Sequence, residues 1–154
     1  MLSKDEQQAI EAEFAHYPNK QAVCIEAMKV VQRHRGWVTD QNLADIGELL
    51  EMTTDELDSV ATFYNLIYRE PVGRHIIHVC DSVSCWIMGY EQLRRDLSGH
   101  LGIEMGETTE DGRFTLLPIQ CLGHCELAPA LMIDDDLHAN LTEDTLPSVL
   151  EDYK

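Results

Sequence analysis

The sequence is poor in positive charge and contains no run of basic residues. Eleven Lys and Arg residues stand against 28 Asp and Glu residues among 154, which gives a formal net charge of −17 at pH 7. Nucleic acids and anionic lipid head groups bind cationic surfaces, because Lys and Arg replace their counterions. The composition therefore predicts no nucleic-acid partner and no contact with acidic lipid.

Long apolar runs are also missing. No stretch approaches the roughly 20 apolar residues that span a bilayer. The N-terminus carries Asp5 and Glu6 where a secretory signal would carry bases. We therefore expect a cytoplasmic protein without membrane insertion, in a compartment that keeps thiols reduced. Five cysteines in such a protein point to metal ligation or thiol chemistry before disulfides.

Motifs for nucleotide binding and catalysis are absent as well. The sequence has no G-x-G-x-x-G motif and no P-loop, so we expect no NADH or ATP site on this chain. It also has no nucleophile elbow and no zinc-protease helix. Its many carboxylates are interpreted as solvated, and no residue is predicted to be catalytic.

Residues 1–66 are predicted to form a bundle of four short helices. Ser3-Lys4-Asp5-Glu6 has the form of a capping box and begins the first helix, which should end near Pro18. The second helix is predicted from about Lys20 to Arg35. Thr39 and Thr53 are the expected caps of the third and fourth helices. None of these helices is long, so their apolar stripes must be buried by packing.

Residues 67–154 show a different pattern, in which short strands alternate with helices. The predicted elements, in chain order, are a strand over 74–80, a helix over 86–97, hairpins over 108–119 and 130–140, and a last helix capped by Thr142. The first strand is apolar on both faces, as expected for a strand that is covered on both sides. The order of elements implies a mixed sheet with flanking helices, and the whole chain is predicted to be α+β.

Four of the five cysteines form two closely spaced pairs. Four residues separate Cys80 from Cys85, and three separate Cys121 from Cys125. Each pair follows a predicted strand, and the ends of adjacent strands bring two such loops together. Four thiolates are the ligand set of a 2Fe–2S cluster, two on each iron. Structural zinc accepts the same set at similar spacings, so spacing alone leaves iron and zinc open.

The fifth cysteine, and two histidines close in sequence to the cysteine pairs, are not expected to bind a metal. Cys24 lies in the second predicted helix and is expected to be a buried, inert thiol. Histidines are ligands in Rieske-type clusters, but four cysteines already complete a ligand set. We therefore expect His78 to point out of its strand and His124 to lie in a loop near solvent. A dithiol redox enzyme would carry C-x-x-C, which the sequence lacks.

The cysteine segments, taken with their neighbours, resemble the thioredoxin-like 2Fe–2S ferredoxin family. The matching segments are Cys80–Cys85, followed by Gly89, and Cys121–Cys125, followed by Ala128-Pro129. The resemblance favours iron over zinc. Three further segments are similar to the helical N-terminal part of the family members that serve in NADH-quinone oxidoreductase, respiratory complex I: Tyr17-Pro18, Arg35–Val38 and Val60–Tyr64.

The resemblance implies a thioredoxin-like fold over residues 67–154 and one 2Fe–2S cluster. One iron would be held by Cys80 and Cys85, the other by Cys121 and Cys125. It also implies a flavoprotein partner that carries FMN, the NADH site and a 4Fe–4S cluster, and contact with the large iron–sulfur subunit of the same module. This chain would exchange electrons with the FMN. The complex would hold the chain at the inner, cytoplasmic face of the cell membrane.

Two alternatives to this function remain open from the sequence. NAD-dependent formate dehydrogenases and NAD-reducing hydrogenases contain close relatives with the same motifs, so the chain is alternatively the diaphorase subunit of such an enzyme. A zinc-stabilised interaction module is a third interpretation, from a different class. If the site holds a cluster, Asp81 and Glu126 each follow a predicted ligand and are expected to lower its reduction potential. The N-terminal helices are expected to dock onto the flavoprotein.

Overall fold

The chain folds into two compact units, which we call the helical unit, Met1–Pro71, and the sheet unit, Val72–Lys154. The computed structural model describes all 154 residues. The sequence places the boundary between residues 66 and 67, a few residues earlier than the structure does. The reason is that Ile67 is buried in the core of the helical unit. Arg69 also pairs with Asp58 of the same unit at 2.9 Å, and these contacts extend the unit beyond its last helix.

All four predicted helices of the helical unit are present. They are α1 (Lys4–Glu13), α2 (Cys24–Arg35), α3 (Asp40–Leu50) and α4 (Thr54–Phe63). The side chains of Ser3, Thr39 and Thr53 each accept a hydrogen bond from a backbone N–H in the first turn of their helix. In return, the side chain of the third residue of each helix accepts a hydrogen bond from the backbone N–H of the capping residue. Such reciprocal bonds satisfy two of the free N–H groups at a helix start. Gly36, at φ +85°, ends α2.

The core of the helical unit is apolar, and a partly buried ion pair lies beside it. Side chains with no exposed surface come from all four helices, among them Ile10, Met28, Leu43, Ile46 and Leu57. Glu6 is 2% exposed and pairs with Arg35 at 2.6 Å. The Arg35 guanidinium holds the pKa of Glu6 at about 2, well below its usual value. The pair therefore stays charged inside the fold at neutral pH.

The sheet unit contains a four-stranded mixed sheet in the order β2-β1-β3-β4. Its strands are β1 (His75–Cys80), β2 (Phe114–Ile119), β3 (Ala130–Ile133) and β4 (Asp136–Ala139). β1 pairs with β2 in parallel and with β3 antiparallel, and β3 and β4 form the predicted hairpin. The predicted α+β organisation, short helices followed by a mixed sheet with helices, is confirmed.

The segment between β1 and β2 differs from its prediction in two ways. The predicted helix over 86–97 is two helices, α5 (Val83–Met88) and α6 (Tyr90–Leu101), because Gly89 has φ +124° and interrupts the helix. The predicted hairpin over 108–119 is short: its arms share one antiparallel bridge, Thr108 with Thr115, and the N–H groups of Thr109 and Leu116 donate across it to the carbonyls of Phe114 and Glu107. β2 instead forms its ladder with β1, which gives a parallel crossover through α5 and α6.

The last helix begins later than predicted, and it completes the core of the sheet unit. The carbonyl of Thr142 accepts hydrogen bonds from the backbone N–H groups of Thr145 and Leu146, but α7 itself spans Leu146–Glu151, with Pro147 in its first turn. Residues of α6, α7 and three strands share one apolar cluster, including Ile77, Leu97, Leu116, Leu131 and Leu146. No helix of the protein is both long enough and apolar enough to cross a membrane.

Candidate metal centre

Strand register brings the two cysteine loops to one edge of the sheet. Cys80 is the last residue of β1 and lies opposite Ile119, the last residue of β2. Cys121 comes two residues after Ile119 and therefore lies just beyond the same edge of the sheet. β3 runs antiparallel to β1 and begins at this edge, and the 3-10 turn Cys125–Leu127 comes directly before it. The ends of parallel strands meet at one sheet edge, as expected for a binding site in such a fold.

The four predicted cysteines are brought together as two pairs of free thiols. The Sγ atoms of Cys121 and Cys125 lie 3.3 Å apart. Cys85 lies close enough to Cys80 and Cys125 that both thiols raise its pKa. Cys125 also interacts electrostatically with Cys80. The two pairs are therefore near enough to influence each other electrostatically.

This arrangement fits a cluster in which each pair of sulfurs holds one iron. A tetrahedral metal with bonds of about 2.3 Å to sulfur holds two sulfurs roughly 3.8 Å apart. The Cys121–Cys125 separation of 3.3 Å is about 0.5 Å shorter than that value and well beyond the length of a disulfide bond. No three His, Cys, Asp or Glu side chains are grouped as ligands of one metal ion.

The two pairs differ in their exposure to water. Cys80 and Cys85 are each 2% exposed and pack with Ala128 and Ala130, whereas Cys121 and Cys125 are exposed. Burial, together with the Cys80 sulfur, raises the pKa of Cys85 to about 11. Binding of a metal or cluster therefore displaces a proton from this thiol, because only the thiolate is a ligand. The exposed pair leaves one side of the site open to solvent.

Hydrogen-bond donors point at the sulfurs. The backbone N–H of Gly123 lies 3.3 Å from the Sγ of Cys121 and lowers the pKa of that thiol. Ala130 contributes a backbone hydrogen bond to Cys85, and the Ser84 side chain contributes one to Cys125. Such donors stabilise the charged form of a thiolate. Gly123 adopts φ +78°, a backbone conformation that residues with a side chain rarely adopt.

The remaining predicted residues have mixed outcomes. Cys24 is half-buried in α2 of the helical unit, far along the chain from the four thiols, and burial raises its pKa. His124 is partly exposed and lies 3.3 Å from Glu126, as expected for a loop histidine. The prediction for His78 was wrong, because this residue is 1% exposed. β1 is an inner strand with a neighbouring strand on each side, so its residues are buried on both faces, and His78 is buried with them.

Sequence reasoning missed one feature of the site. α5 holds Cys85 inward and presents four large apolar side chains outward: Val83, Trp86, Ile87 and Met88, each more than 60% exposed. The sequence does contain a sign of this exposed surface, because a tryptophan, an isoleucine and a methionine directly follow the predicted ligand Cys85. The sign was missed because a single helix was predicted over 86–97, and in such a helix these residues would belong to the apolar stripe that is buried.

The chain is similar to known proteins over nearly its whole length. The family model described as thioredoxin-like [2Fe-2S] ferredoxin matches residues 10–154. The chain is 51% identical over 153 residues to the E subunit of the NADH-quinone oxidoreductase of Pseudomonas aeruginosa, and the match covers 99% of this chain and 92% of that protein. The identity to the corresponding E subunit of Escherichia coli K12 is 50%, with the same coverage.

Solved structures show the same fold within much longer chains. The crystal structure of an NAD+-reducing [NiFe]-hydrogenase in the H2-reduced state superposes with a TM-score of 0.69 at 24% identity, over 82% of this chain. The crystal structure of such an enzyme in the air-oxidized state superposes with a TM-score of 0.68 at 22% identity. This chain spans only 22% and 24% of those two chains. The predicted thioredoxin-like fold is thus confirmed, and the chain belongs to the thioredoxin-like [2Fe-2S] ferredoxin family.

Proposed function

We propose that this chain is the 2Fe–2S electron-transfer subunit of the NADH dehydrogenase module of NADH-quinone oxidoreductase. The observation that carries the proposal is the meeting of two cysteine pairs at one edge of the sheet, at the ends of β1 and β2. Identity of about 50% over nearly the whole chain to the E subunits of that oxidoreductase supports the choice of complex.

In this proposal Cys80 and Cys85 hold one iron, and Cys121 and Cys125 hold the other. A 2Fe–2S cluster bound there would supply one-electron transfer. The chain's own residues bind and insulate it: Ala128 and Ala130 cover the buried pair, and the Gly123 N–H donates to a sulfur of the exposed pair. These donors and the burial tune how readily the site accepts negative charge. No side chain of this chain is assigned a role in breaking or making covalent bonds.

The partner in this proposal is a flavoprotein subunit that binds FMN, NADH and a 4Fe–4S cluster, together with the large iron–sulfur subunit of the module. This chain contributes the 2Fe–2S cluster and exchanges electrons with the FMN. The assembled module would lie at the inner face of the cell membrane. Charge is consistent with a protein partner, since a net charge of −17 disfavours nucleic acid and acidic lipid.

The helical unit is proposed to dock onto the flavoprotein. Its end carries three exposed apolar side chains, Phe63, Tyr64 and Leu66, of which Phe63 is 78% exposed. A groove of about 400 Å³ lies beside them, lined by Tyr17, Ile25 and Leu66 among others. Exposed aromatic residues next to a groove are typical of protein interfaces. Replacing all three with Ser should weaken capture of the flavoprotein while the visible spectrum is kept, and unchanged capture would refute this role.

A second candidate is the diaphorase subunit of an NAD-reducing hydrogenase or an NAD-dependent formate dehydrogenase. The favouring observation is the fold shared with the hydrogenase chains, which at 22–24% identity speaks for the fold alone. Affinity purification of the tagged chain from its native cells separates the two. Recovery with quinone reductase activity supports the proposal, and recovery with a hydrogenase or formate dehydrogenase supports the second candidate.

The cluster is tested by metal and sulfide analysis of the chain purified without air. We expect iron and acid-labile sulfide in equal amounts, about two of each per chain, and a reddish-brown colour. Zinc at one equivalent with no sulfide and no colour would refute the proposal and support the zinc-stabilised interaction module.

A further inference from the structure

The exposed cysteine pair is close enough for a bond to form between its own two sulfurs. The Sγ atoms of Cys121 and Cys125 lie 3.3 Å apart, and a disulfide bond measures about 2.05 Å. Closing the bond therefore needs an approach of about 1.3 Å. Both side chains are exposed, so a dissolved oxidant reaches them. Thiols that combine exposure with a second thiol close by are the ones that oxidise reversibly.

The loop between these two cysteines can make that approach without loss of regular structure. Cys121–His124 belong to no helix or strand, and Cys125 is the first residue of a 3-10 turn. The space around Gly123 is open, since a Cβ atom at this position would meet nothing beyond its chain neighbours within 4 Å. The movement therefore need break no hydrogen bond of the sheet.

The buried cysteine pair is protected from the same reaction. Cys80 and Cys85 are each 2% exposed. Cys80 is held in the ladder opposite Ile119, and Cys85 lies inside α5. Thiol–disulfide exchange requires contact between the attacking sulfur and the oxidant, so burial slows it. An oxidant should therefore discriminate between two cysteine pairs of nearly the same spacing.

We propose that Cys121 and Cys125 are an oxidation site of the cluster-free chain, at which a small-molecule disulfide converts them into a reversible disulfide bond. The inference rests on the proposed function, since it concerns the chain before its cluster is inserted. The oxidised chain keeps two thiols at the site, Cys80 and Cys85, and a 2Fe–2S cluster needs four. It therefore accepts no cluster until a thiol reductant restores the exposed pair, and exposed disulfides are the easily reduced ones.

The reaction consists of two successive thiol–disulfide exchanges. The sulfur of Cys121 or Cys125 first attacks one sulfur of the small disulfide. The S–S bond of that molecule breaks, a mixed disulfide with the protein forms, and one small thiol leaves. The other cysteine then attacks the protein sulfur of the mixed disulfide and releases the second small thiol. Two electrons pass from the protein to the oxidant, and the two cysteine protons leave on the two small thiols.

Trypsin separates the thiols, which makes a direct test possible. Cleavage after Lys and Arg places Cys24 in residues 21–29, Cys80 and Cys85 in residues 75–94, and Cys121 and Cys125 in residues 114–154. The cluster of the full chain is removed by chelation without air. The chain is then treated with uncharged 2-hydroxyethyl disulfide, alkylated, digested and weighed by mass spectrometry.

We expect the treated chain to lose two of its five free thiols. Residues 114–154 should carry no alkyl group and be lighter by two hydrogens, while residues 75–94 are alkylated at both cysteines. The same treatment in guanidinium is the control, because unfolding exposes both pairs, and there the two peptides should oxidise to similar extents. The inference is overturned by a disulfide in residues 75–94, by a cross-link between the two peptides, by the unfolded pattern without guanidinium, or by no disulfide at all.

A variant of the exposed pair traps the mixed disulfide. Cys125→Ser lacks the second thiol, so Cys121 should retain one 2-mercaptoethanol group, measured as added mass on residues 114–154. Cys24→Ser is the matched control and should form the wild-type disulfide. Cys121 left unmodified in Cys125→Ser overturns the inference. A chain that contains no iron or sulfide when purified without air defeats the proposed function instead, and this outcome is read before any thiol is oxidised.

Discussion

The helical unit and the sheet unit differ in how their helices begin and in what their surfaces expose. In the helical unit, α1, α3 and α4 each start with a capping box, and only α2 has no side-chain cap. In the sheet unit, α5, α6 and α7 have no side-chain cap hydrogen bond. One of these uncapped helices, α5, also carries Cys85 and four exposed apolar residues.

The difference indicates that helix capping stabilises the helical unit, whereas the helix at the cysteine site lacks this local stabilisation. Each capping box is worth roughly 1 kcal/mol, and together they fix the ends of short helices that have little else to define them. At the cysteine edge, a helix one and a half turns long is held by packing of Cys85 rather than by a cap. Local rules that are broken in one place usually mark a functional site.

The largest expected effect comes from the thiols themselves. Serine in place of Cys80, Cys85, Cys121 or Cys125 should remove or grossly alter the visible spectrum, because a 2Fe–2S cluster needs all four thiolates. Cys24→Ser is the matched control in the helical unit and should keep both iron atoms. Retention of a normal spectrum by any of the four variants would remove that cysteine from the ligand set.

The next effect belongs to the core of the helical unit. Leu43→Ala should lower the free energy of unfolding by about 2–5 kcal/mol, because Leu43 has no exposed surface and its truncation leaves a cavity. Leu66→Ala, at a side chain 43% exposed, should change it by less than about 0.5 kcal/mol. Denaturant titration followed by circular dichroism measures both. Equal effects would mean that the assigned core does not stabilise the unit.

A smaller effect concerns the Glu6–Arg35 pair and has a defined pH dependence. The pKa of Glu6 is lowered from 4.5 to about 2, which corresponds to about 3 kcal/mol. Because the pKa is lowered in the folded state, this stabilisation is present above about pH 4.5 and is lost as the pH falls toward 2. Unfolding of Glu6→Gln should lack that part of the pH dependence. An identical pH profile for variant and wild type would contradict the assignment.

The smallest effect is electrostatic tuning of the cluster. Asp81→Asn and Glu126→Gln should each raise the reduction potential by a few tens of millivolts at low salt, where 59 mV is a tenfold change in the one-electron equilibrium constant. Both side chains are exposed, so high salt should shrink the difference. A redox titration at two salt concentrations decides. A potential that is lowered, or unchanged at both, would remove these carboxylates from the account.

The sequence was most informative where structure is decided locally. The four helices of the helical unit, their caps and the hairpin across Asp134–Asp136 follow from residues a few positions apart. The edge at which the cysteines meet could also be anticipated, since both pairs follow strands. The break at Gly89 was missed, because a glycine inside a helical pattern is only a weak signal until its φ is known.

Other features depend on contacts between distant segments. β2 pairs with β1 across more than thirty residues instead of forming a full hairpin with the segment around Thr108. His78 is buried because β1 has a strand on both sides, and alternation along one strand does not reveal its neighbours. The boundary at Pro71 likewise depends on Ile67 and Arg69 contacting earlier helices. Such choices are made by tertiary packing rather than by local preference.

The central claim is tested most directly by a reductive titration of the full chain, purified without air. With a four-cysteine 2Fe–2S cluster, the chain should take up one electron and lose part of its visible absorbance in a single step. The same titration of Cys24→Ser should give the same result. Uptake of no electrons would indicate zinc, uptake of two without a visible band would indicate a disulfide, and either result would contradict the account.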